Sequence, residues 1–392
     1  MKALNLAIII VLTTSYSYGA TIFDRNDALN VELSADLQPF FQQVFANTSE
    51  AKQLSTPGVF TFQDENLSSV LHIPVEIKVR GNTSLALDEC SFPKLKMKPS
   101  KEAVPKGSTI ADNKEIKIAT HCGENDLATR TPKNRIANQI SPLRESYIYK
   151  IFEITGTPAQ KSRLVIMNYK NLGLQRYNFL LEDEKIAAKR LNGTIAKWEN
   201  PYEDGRCIPG DACTIPQKVF LSAKEMNVDL NLLARTFIMQ AMVGNYDWGV
   251  RVGEEDAFMS LWNTEMIEGT GGKNIILATD FDLATAVTGK SELAIPRELP
   301  NGKIAPKEPL EFNIALVRLN NIKKLFGESV YEQQLSHIWA KAPAISELIK
   351  TSSLDAEGRN QFNLHIKELF RAAQALKANT YVIPEIEPTE GE

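Results

Sequence analysis

The sequence predicts an α+β fold with two lobes, a β-rich lobe followed by a mainly helical lobe. From residue 30 to about residue 185, short runs alternate between apolar and polar positions or are rich in β-branched residues, as is typical of strands. After residue 190, apolar residues recur every three or four positions, as is typical of amphipathic helices. We therefore expect residues 20–184 to form the first lobe and residues 185–383 the second, with the functional site in the cleft between them.

The first lobe contains six runs that we predict to be strands, at 59–62, 73–79, 95–98, 115–119, 163–168 and 176–181. One segment of this lobe has helical periodicity instead. Its apolar residues recur at spacings of three and four between 131 and 152, which predicts a helix over those residues with a kink at Pro142.

Four segments of the second lobe are predicted helices, at 229–243, 311–326, 329–349 and 353–378. Residues 192–216 and 290–309 are rich in residues that break regular structure, and we expect both to be long loops. The tail from 384 to 392 contains four glutamates and two prolines, so we expect it to be disordered.

The first nineteen residues are typical of a signal peptide. A lysine at position 2 precedes an apolar run from 3 to 12, and small residues at 17 and 19 form the small-x-small pattern of a cleavage site. The apolar run is shorter than the roughly 20 residues that span a bilayer, and no later stretch is long enough. We expect export to the periplasm or beyond the cell without a transmembrane segment, an uncleaved anchor being the alternative.

Four cysteines are compatible with disulfides in an exported chain. The short interval between Cys207 and Cys213 favours a local loop, which leaves Cys90 to pair with Cys122. Two other pairings are possible. A zinc site is the competing interpretation, but no two cysteines are separated by only two residues.

The charge pattern argues against one class of partner. The formal net charge is −4, and no basic stretch is interleaved with aromatic residues. Nucleic-acid binders carry a concentrated positive surface, so we do not expect nucleic acid as a partner.

Lysines recur at every second position in the strand predicted at 95–98 and just before it. Lys94, Lys96 and Lys98 therefore share one face, while Leu95 and Met97 face a core. Such a face can be a solvated surface, or one lysine can reach a phosphate. Glu145 on the following helix is a candidate partner that would hold such a lysine in position.

Carboxylates follow two apolar stretches of the second lobe. Asp247 comes just after a predicted helix, where it could be a general base or simply cap a turn. We predict a hairpin between residues 258–263 and 274–278 that would bring Asn263 near Asp280. An amide and a carboxylate suit Mg²⁺, and Asp282 could be a second carboxylate ligand, although Asp-x-Asp is also common in structural turns.

These motifs, taken in order, resemble the CotH-like branch of the atypical protein kinases, many of which are secreted bacterial proteins. The resemblance covers roughly residues 31–319. It rests on VRGN at 79–82, FP with the lysine strand, IKIATHC at 116–122, YNFLLEDEKIAAK at 177–189, GNYDW at 244–248 and DFD at 280–282.

The resemblance implies a bilobal kinase-like fold and a metal-dependent phosphotransferase. Lys96 or Lys98 would hold nucleotide phosphates with Glu145 as its partner, and Asp247 would be the catalytic aspartate. Asn263 and Asp280 would hold Mg²⁺ or Mn²⁺.

The resemblance also implies contacts with the donor, ATP or another nucleotide. Glu182 would lie near the hinge that contacts the base, and Arg80 would contact phosphate. The acceptor is not specified and could be a protein of the cell envelope.

The chain departs from ordinary kinases in two features. No G-x-G-x-x-G loop precedes the lysine strand, and Asn263 lies sixteen positions after Asp247. A non-catalytic binding or coat-type protein with the same fold is therefore the alternative function. A hydrolase that uses Asp247 and Asp280 as paired carboxylates is a third.

Overall fold

The computed structural model describes residues 20–81, 83–196, 227–248, 250–252, 257–259, 263–289 and 310–378. The predicted signal peptide, the Cys207–Cys213 pair, most of the two predicted loops and the acidic tail lie outside these residues. The described chain has a strand-rich region followed by a mainly helical C-terminal region, as the periodicity predicts.

Seven strands of the first region form a closed barrel in the order β1-β2-β3-β4-β5-β7-β6. The barrel closes through parallel pairing of β6 with β1, and every other neighbouring pair is antiparallel. The strands are β1 Leu29–Ala35, β2 Thr56–Asp64, β3 Ser69–Val79, β4 Leu95–Pro99, β5 Ile116–Ala119, β6 Ser162–Tyr169 and β7 Leu174–Leu181. All six predicted strands are present, but the closed barrel differs from the N-terminal lobe typical of protein kinases.

The barrel interior is filled by alternate residues of its strands. In β3, Ile73, Val75, Ile77 and Val79 are all buried at 5% exposure or less, because successive strand residues face opposite sides. Helix α1, Leu37–Ala46, adds apolar side chains to the same core.

Helix α2, Ile140–Ile154, follows β5 and precedes β6 along the chain. It is buried on nearly all sides. The predicted start at 131 is wrong. Residues 131–135 form a turn instead, in which Asn134 has a φ of 64° and Thr131 N donates to Arg135 O. Pro142 falls in the first helical turn, where the missing N–H has no intrahelical acceptor, so the sequence argument for a kink there does not hold.

The second region contains six of the described helices. They are α3 Glu184–Arg190, α4 Leu230–Val243, α5 Thr285–Thr288, α6 Leu310–Phe326, α7 Glu328–Thr351 and α8 Ala356–Ala378. The four predicted helices correspond to α4, α6, α7 and α8. Asp229 caps α4, since its carboxylate accepts from the N–H groups of Asn231 and Leu232.

Two small sheets accompany these helices. One has the order β12-β11-β8, with β8 Gly193–Ile195, β11 Thr264–Gly269 and β12 Asn274–Ala278, and the other pairs β9 Val250–Val252 with β10 Ala257–Met259. The predicted hairpin partner of 274–278 is therefore wrong. The strand beside β12 begins immediately after Asn263 instead of ending there.

Two hydrophobic cores meet at β7. Leu180 belongs to the barrel core, whereas Phe179 and Leu181 belong to the core formed with α2, α4 and the C-terminal helices. The outer surface of the barrel is thus covered by the helical region along this strand. Among the described helices, none is both long and apolar enough to cross a membrane.

Candidate functional site

A polar cavity of about 160 Å³ lies where the barrel meets the helical region. Residues from β5, α2, β7, α3, β11 and the loops around them line it. They are Arg80, Lys117, Glu145, Tyr149, Gln160, Leu181, Glu184, Asn263, Thr264, Glu265, Thr279 and Asp280.

The β11–β12 hairpin brings Asn263 and Asp280 to the same cavity. Thr264 pairs with Ala278 in the register, and Thr279 N donates to Asn263 O at 3.1 Å. Asn263 and Asp280 have φ values of 51° and 53°, a left-handed conformation that Asn and Asp adopt more readily than most residues. The conformation turns the chain at the end of each strand, beside the cavity.

Asp247 is held beside Asn263. The Asn263 Nδ2 donates to Asp247 O at 2.6 Å and to Asp247 Oδ2 at 3.1 Å. Asp247 N in turn donates to the Asn245 side chain. The structure therefore links Asp247 to the cavity through Asn263.

Gly244 ends α4 with a φ of 63° and leads into the segment that carries Asp247. A Cβ at this position would lie 1.8 Å from the Thr285 hydroxyl oxygen, so only glycine fits. Thr285 N also donates to Gly244 O, which joins this turn to the start of α5.

The lysine in contact with the carboxylates is Lys94. Its Nζ lies 2.8 Å from Asp280 Oδ1 and 3.0 Å from Asp282 Oδ2. Lys96 pairs with Glu115 at 3.1 Å, and Lys98 is exposed opposite Glu76. Neither Lys96 nor Lys98 lines the cavity.

Asp282 lies deeper than Asp280 and does not line the cavity. Its Oδ2 accepts from the Arg135 Nε at 2.7 Å, and the Arg135 Nη1 reaches Glu89 at 2.9 Å. Burial alone would raise the pKa of Asp282, but Lys94 and Arg135 hold that pKa well below its ordinary value. Asp282 is therefore an anionic anchor within the protein.

Glu145 faces this cluster from α2. It is buried, and its Oε1 accepts from Phe281 N at 3.1 Å. Burial raises the pKa of Glu145 to about 8, with Lys94 acting in the opposite direction and the two aspartates adding to the rise. Lys94 shows the reverse balance: burial opposes its charge, yet Asp280 and Asp282 raise the pKa of its ammonium above the ordinary value.

Two cations, Arg80 and Lys117, line the other side of the cavity. Lys117 lies on β5, opposite Lys96 in the register, and forms an ion pair with Glu184. Arg80 follows β3, and its buried Nε has no hydrogen-bond partner.

Glu182 does not line the cavity. Its carboxylate accepts from Lys161 N and from the Arg190 guanidinium, and its backbone oxygen accepts from the Gln160 amide. Gln160, Leu181 and Glu184 occupy the place beside the cavity instead.

The predicted Cys90–Cys122 disulfide is present. Cys90 follows Glu89, and Phe92 N donates to Cys122 O, so the bridge lies next to the segment that leads into Lys94. The sulfurs pack on Ala137, two residues after Arg135.

Sequence reasoning did not single out Lys117, Arg135, Tyr149 or Gln160. The Tyr149 hydroxyl accepts from Asp280 N at 3.0 Å, and Arg135 reaches Asp282 across 147 residues. One pattern in the sequence could have indicated Lys117, because this residue lies in the strand directly before the helix that contains Glu145. Such a position suits a phosphate lysine in kinase-like folds.

The exposed side of the cluster has two side chains, Asp280 and Asn263, whose oxygens could hold a divalent cation. Asp280 is 32% exposed. Asn263 lines the same cavity, and because its Nδ2 makes the hydrogen bonds to Asp247, its amide oxygen is the atom that could bind a ligand. No group of three His, Cys, Asp or Glu side chains in the described ranges could hold a metal ion. This is compatible with Mg²⁺, which usually keeps water and phosphate oxygens among its ligands.

Comparison with known proteins leaves the family open. No family model matches the chain, and no curated protein matches it. Among solved structures, the chain is similar to the Helicobacter pylori proinflammatory kinase CtkA, with 9% sequence identity and a TM-score of 0.34. That overlap covers 68% of this chain and 93% of the other. A similarity of this extent does not establish a family.

Proposed function

We propose that this protein is an exported, metal-dependent phosphotransferase of kinase-like type. It would move a phosphoryl group from ATP or another nucleotide to a hydroxyl acceptor, such as a protein of the cell envelope. Mg²⁺ or Mn²⁺ would accompany the nucleotide.

One observation carries this proposal. A single cavity joins two cations, Arg80 and Lys117, to an amide and a carboxylate, Asn263 and Asp280, with Asp247 in contact with Asn263. Phosphoryl transfer needs this combination, because its catalysis consists mostly of positioning and of neutralising phosphate charge.

The residues can be given roles from their positions. Arg80 and Lys117 would bind phosphate oxygens, and Asp280 with the Asn263 amide oxygen would hold the metal, which when bound neutralises phosphate charge. Asp247 would accept the proton of the acceptor hydroxyl. The hydroxyl oxygen then forms a bond to the terminal phosphorus as the bond from that phosphorus to the bridging oxygen breaks.

The lysine role expected for Lys96 or Lys98 moves in this proposal to Lys117. Lys117 must leave Glu184 to reach a phosphate, whereas Lys96 and Lys98 lie away from the cavity. Glu145 approaches Lys94 instead of a phosphate lysine, and Glu182 pairs with Arg190 instead of lining the cavity.

Two features support export: the pattern of the N-terminal residues and the disulfide. Residues 1–19 have the pattern of a signal peptide, and disulfides such as Cys90–Cys122 persist mainly in oxidising compartments.

The test is thermal unfolding of residues 20–392 with a panel of nucleotides, with and without Mg²⁺ or Mn²⁺, followed by a transfer assay with the stabilising nucleotide. A ligand at about 100 times its Kd stabilises the folded state by about 2.7 kcal/mol. The Asp280→Asn variant should lose the metal-dependent shift and the transfer, while Asp112→Asn, an exposed control, should keep both. Transfer that persists in Asp280→Asn would refute the assigned site.

A non-catalytic binding protein is the second candidate. The cavity, at about 160 Å³, is smaller than the roughly 300 Å³ at which ligand pockets begin, and Lys117 is engaged by Glu184. The two functions differ in two results. A binding protein would show no transfer, and the Asp280→Asn substitution would leave its biological role intact.

A further inference from the structure

The ammonium of Lys94 occupies the position between two carboxylates that a cation would take. Its Nζ lies 2.8 Å from Asp280 Oδ1 and 3.0 Å from Asp282 Oδ2, and the lysine side chain is only 10% exposed. A metal ion at Asp280 would have to share the carboxylate with this ammonium or displace it.

The two carboxylates hold Lys94 in different ways. Asp282 is 6% exposed and is fixed by Arg135, which is itself fixed by Glu89. Asp280 is 32% exposed and borders the cavity. If Lys94 lost one of its two contacts, the contact with Asp282 would remain, because that carboxylate is anchored from behind.

We propose that Lys94 is an internal counter-ion that competes with a divalent cation for Asp280. Binding of the cation moves the Lys94 ammonium onto Asp282, where the Arg135–Glu89 pair keeps an acceptor in place for it. The inference rests on the proposed function in one respect, because Asp280 is the metal ligand there.

The competition has a functional consequence. A free divalent cation binds weakly to the resting protein, since it must displace an ammonium that is already bonded. A cation that arrives with phosphate oxygens brings ligands of its own and an anion that Arg80 and Lys117 can hold. The site is thereby selective for a metal–nucleotide complex over free metal.

The test measures the binding of Mn²⁺ in the absence of nucleotide. Binding is followed by the loss of the electron paramagnetic resonance signal of free Mn²⁺ as protein is added. Lys94→Met should bind Mn²⁺ about tenfold more tightly than wild type, an effect within the usual range for coupling between two bound groups. Lys96→Met is the matched control, since it removes a lysine from the same face that contacts Glu115 instead, and its affinity should stay at the wild-type value.

A further substitution assigns the metal to its ligand. Asp280→Asn in the Lys94→Met background should abolish the gained affinity. Should Lys94→Met fail to fold because of the carboxylates it leaves uncompensated, the double variant Lys94→Met with Asp282→Asn removes one charge of each sign and should show the same gain. Unchanged or weaker Mn²⁺ binding in the folded Lys94 variants would overturn the inference.

The outcome is separable from that of the proposed function. Tighter Mn²⁺ binding at Asp280 without nucleotide transfer in wild type would support the counter-ion and refute the transferase. Transfer by wild type with no gain in the Lys94 variants would do the opposite.

Discussion

Asp280 and Asp282 stand two positions apart, yet their surroundings differ in almost every respect. Asp282 is buried and is bonded to Lys94 and Arg135, whereas Asp280 borders a polar cavity and its carboxylate is bonded to Lys94. The intervening Phe281 is fully buried and packs against Tyr149 and Phe152. The aromatic ring thus fixes the chain so that one carboxylate faces inward and the other faces the cavity.

The difference separates two tasks. The inner side, formed by Asp282, Arg135 and Glu89, is a closed ionic network whose partners are all protein groups. The outer side, formed by Asp280, Asn263, Arg80 and Lys117, contains groups that can exchange protein partners for a ligand. Changes on the inner side should therefore alter stability, and changes on the outer side should alter binding.

The largest stability effect is expected for Arg135→Met. The substitution leaves Asp282 and Glu89 buried without their guanidinium, and breaking a buried ion pair costs about 3–5 kcal/mol. Urea unfolding at neutral pH measures the change. Arg176→Met removes a partly exposed guanidinium bonded to the exposed Glu124 and should cost about 1 kcal/mol or less. Equal costs for both variants would show that the buried ion pairs of Arg135 contribute no more stability than the partly exposed ion pair of Arg176.

Loss of the disulfide should have the next largest effect. Cys90 and Cys122 are 32 residues apart, and a bridge over a loop of that length is worth about 3–4 kcal/mol in the chain-entropy model. The double variant Cys90→Ser with Cys122→Ser should lose that amount in urea unfolding under oxidising conditions. A reductant should destabilise wild type by this amount more than it destabilises the double variant, which lacks the Cys90–Cys122 bridge but keeps Cys207 and Cys213.

Glu145 predicts a dependence of stability on pH. Its folded pKa, about 8, lies above the unfolded value near 4.5, so the folded protein binds more protons between these values. The free energy of unfolding should therefore fall as pH rises through this window, by at most about 1.4 kcal/mol per pH unit. Glu145→Gln should flatten the slope between about pH 6.5, where an unperturbed histidine titrates, and about pH 8. A slope unchanged by the substitution would assign the pH dependence to another group.

Local sequence patterns predicted most of the secondary structure because period two and period 3.6 depend on near neighbours. The strands of the barrel and helices α4, α6, α7 and α8 are examples. Barrel closure was not predictable in this way, since it depends on parallel pairing of β1 with β6, more than 130 residues away. The start of α2 was wrong because Thr131 and Arg135 are committed to polar contacts with Glu89, which no helical period reveals.

The site shows the same division. The period-two pattern predicts the shared face of Lys94, Lys96 and Lys98, and Leu95 and Met97 are indeed fully buried on the other side. The pattern cannot tell which lysine meets the carboxylates, because that depends on where the helical region covers the barrel. Asn263 and Asp280 line one cavity, although the hairpin that brings them together differs from the predicted one.

The smallest stability effects are expected for two lysines that face each other across adjacent strands. Lys96 and Lys117 are partners in the β4–β5 register, and each forms one partly exposed ion pair, with Glu115 and Glu184 respectively. Lys96→Met and Lys117→Met should each change the free energy of unfolding by about 1 kcal/mol or less. Their effects on nucleotide binding should differ, because of these two lysines only Lys117 lines the cavity.

The difference can be measured by the thermal shift with nucleotide and Mg²⁺. Lys96→Met should show the same shift as wild type, and Lys117→Met should lose most of the shift. Equal shifts in the two variants would mean that the phosphate lysine has been assigned to the wrong strand, and Lys94, the remaining lysine beside Asp280, would become the candidate to test.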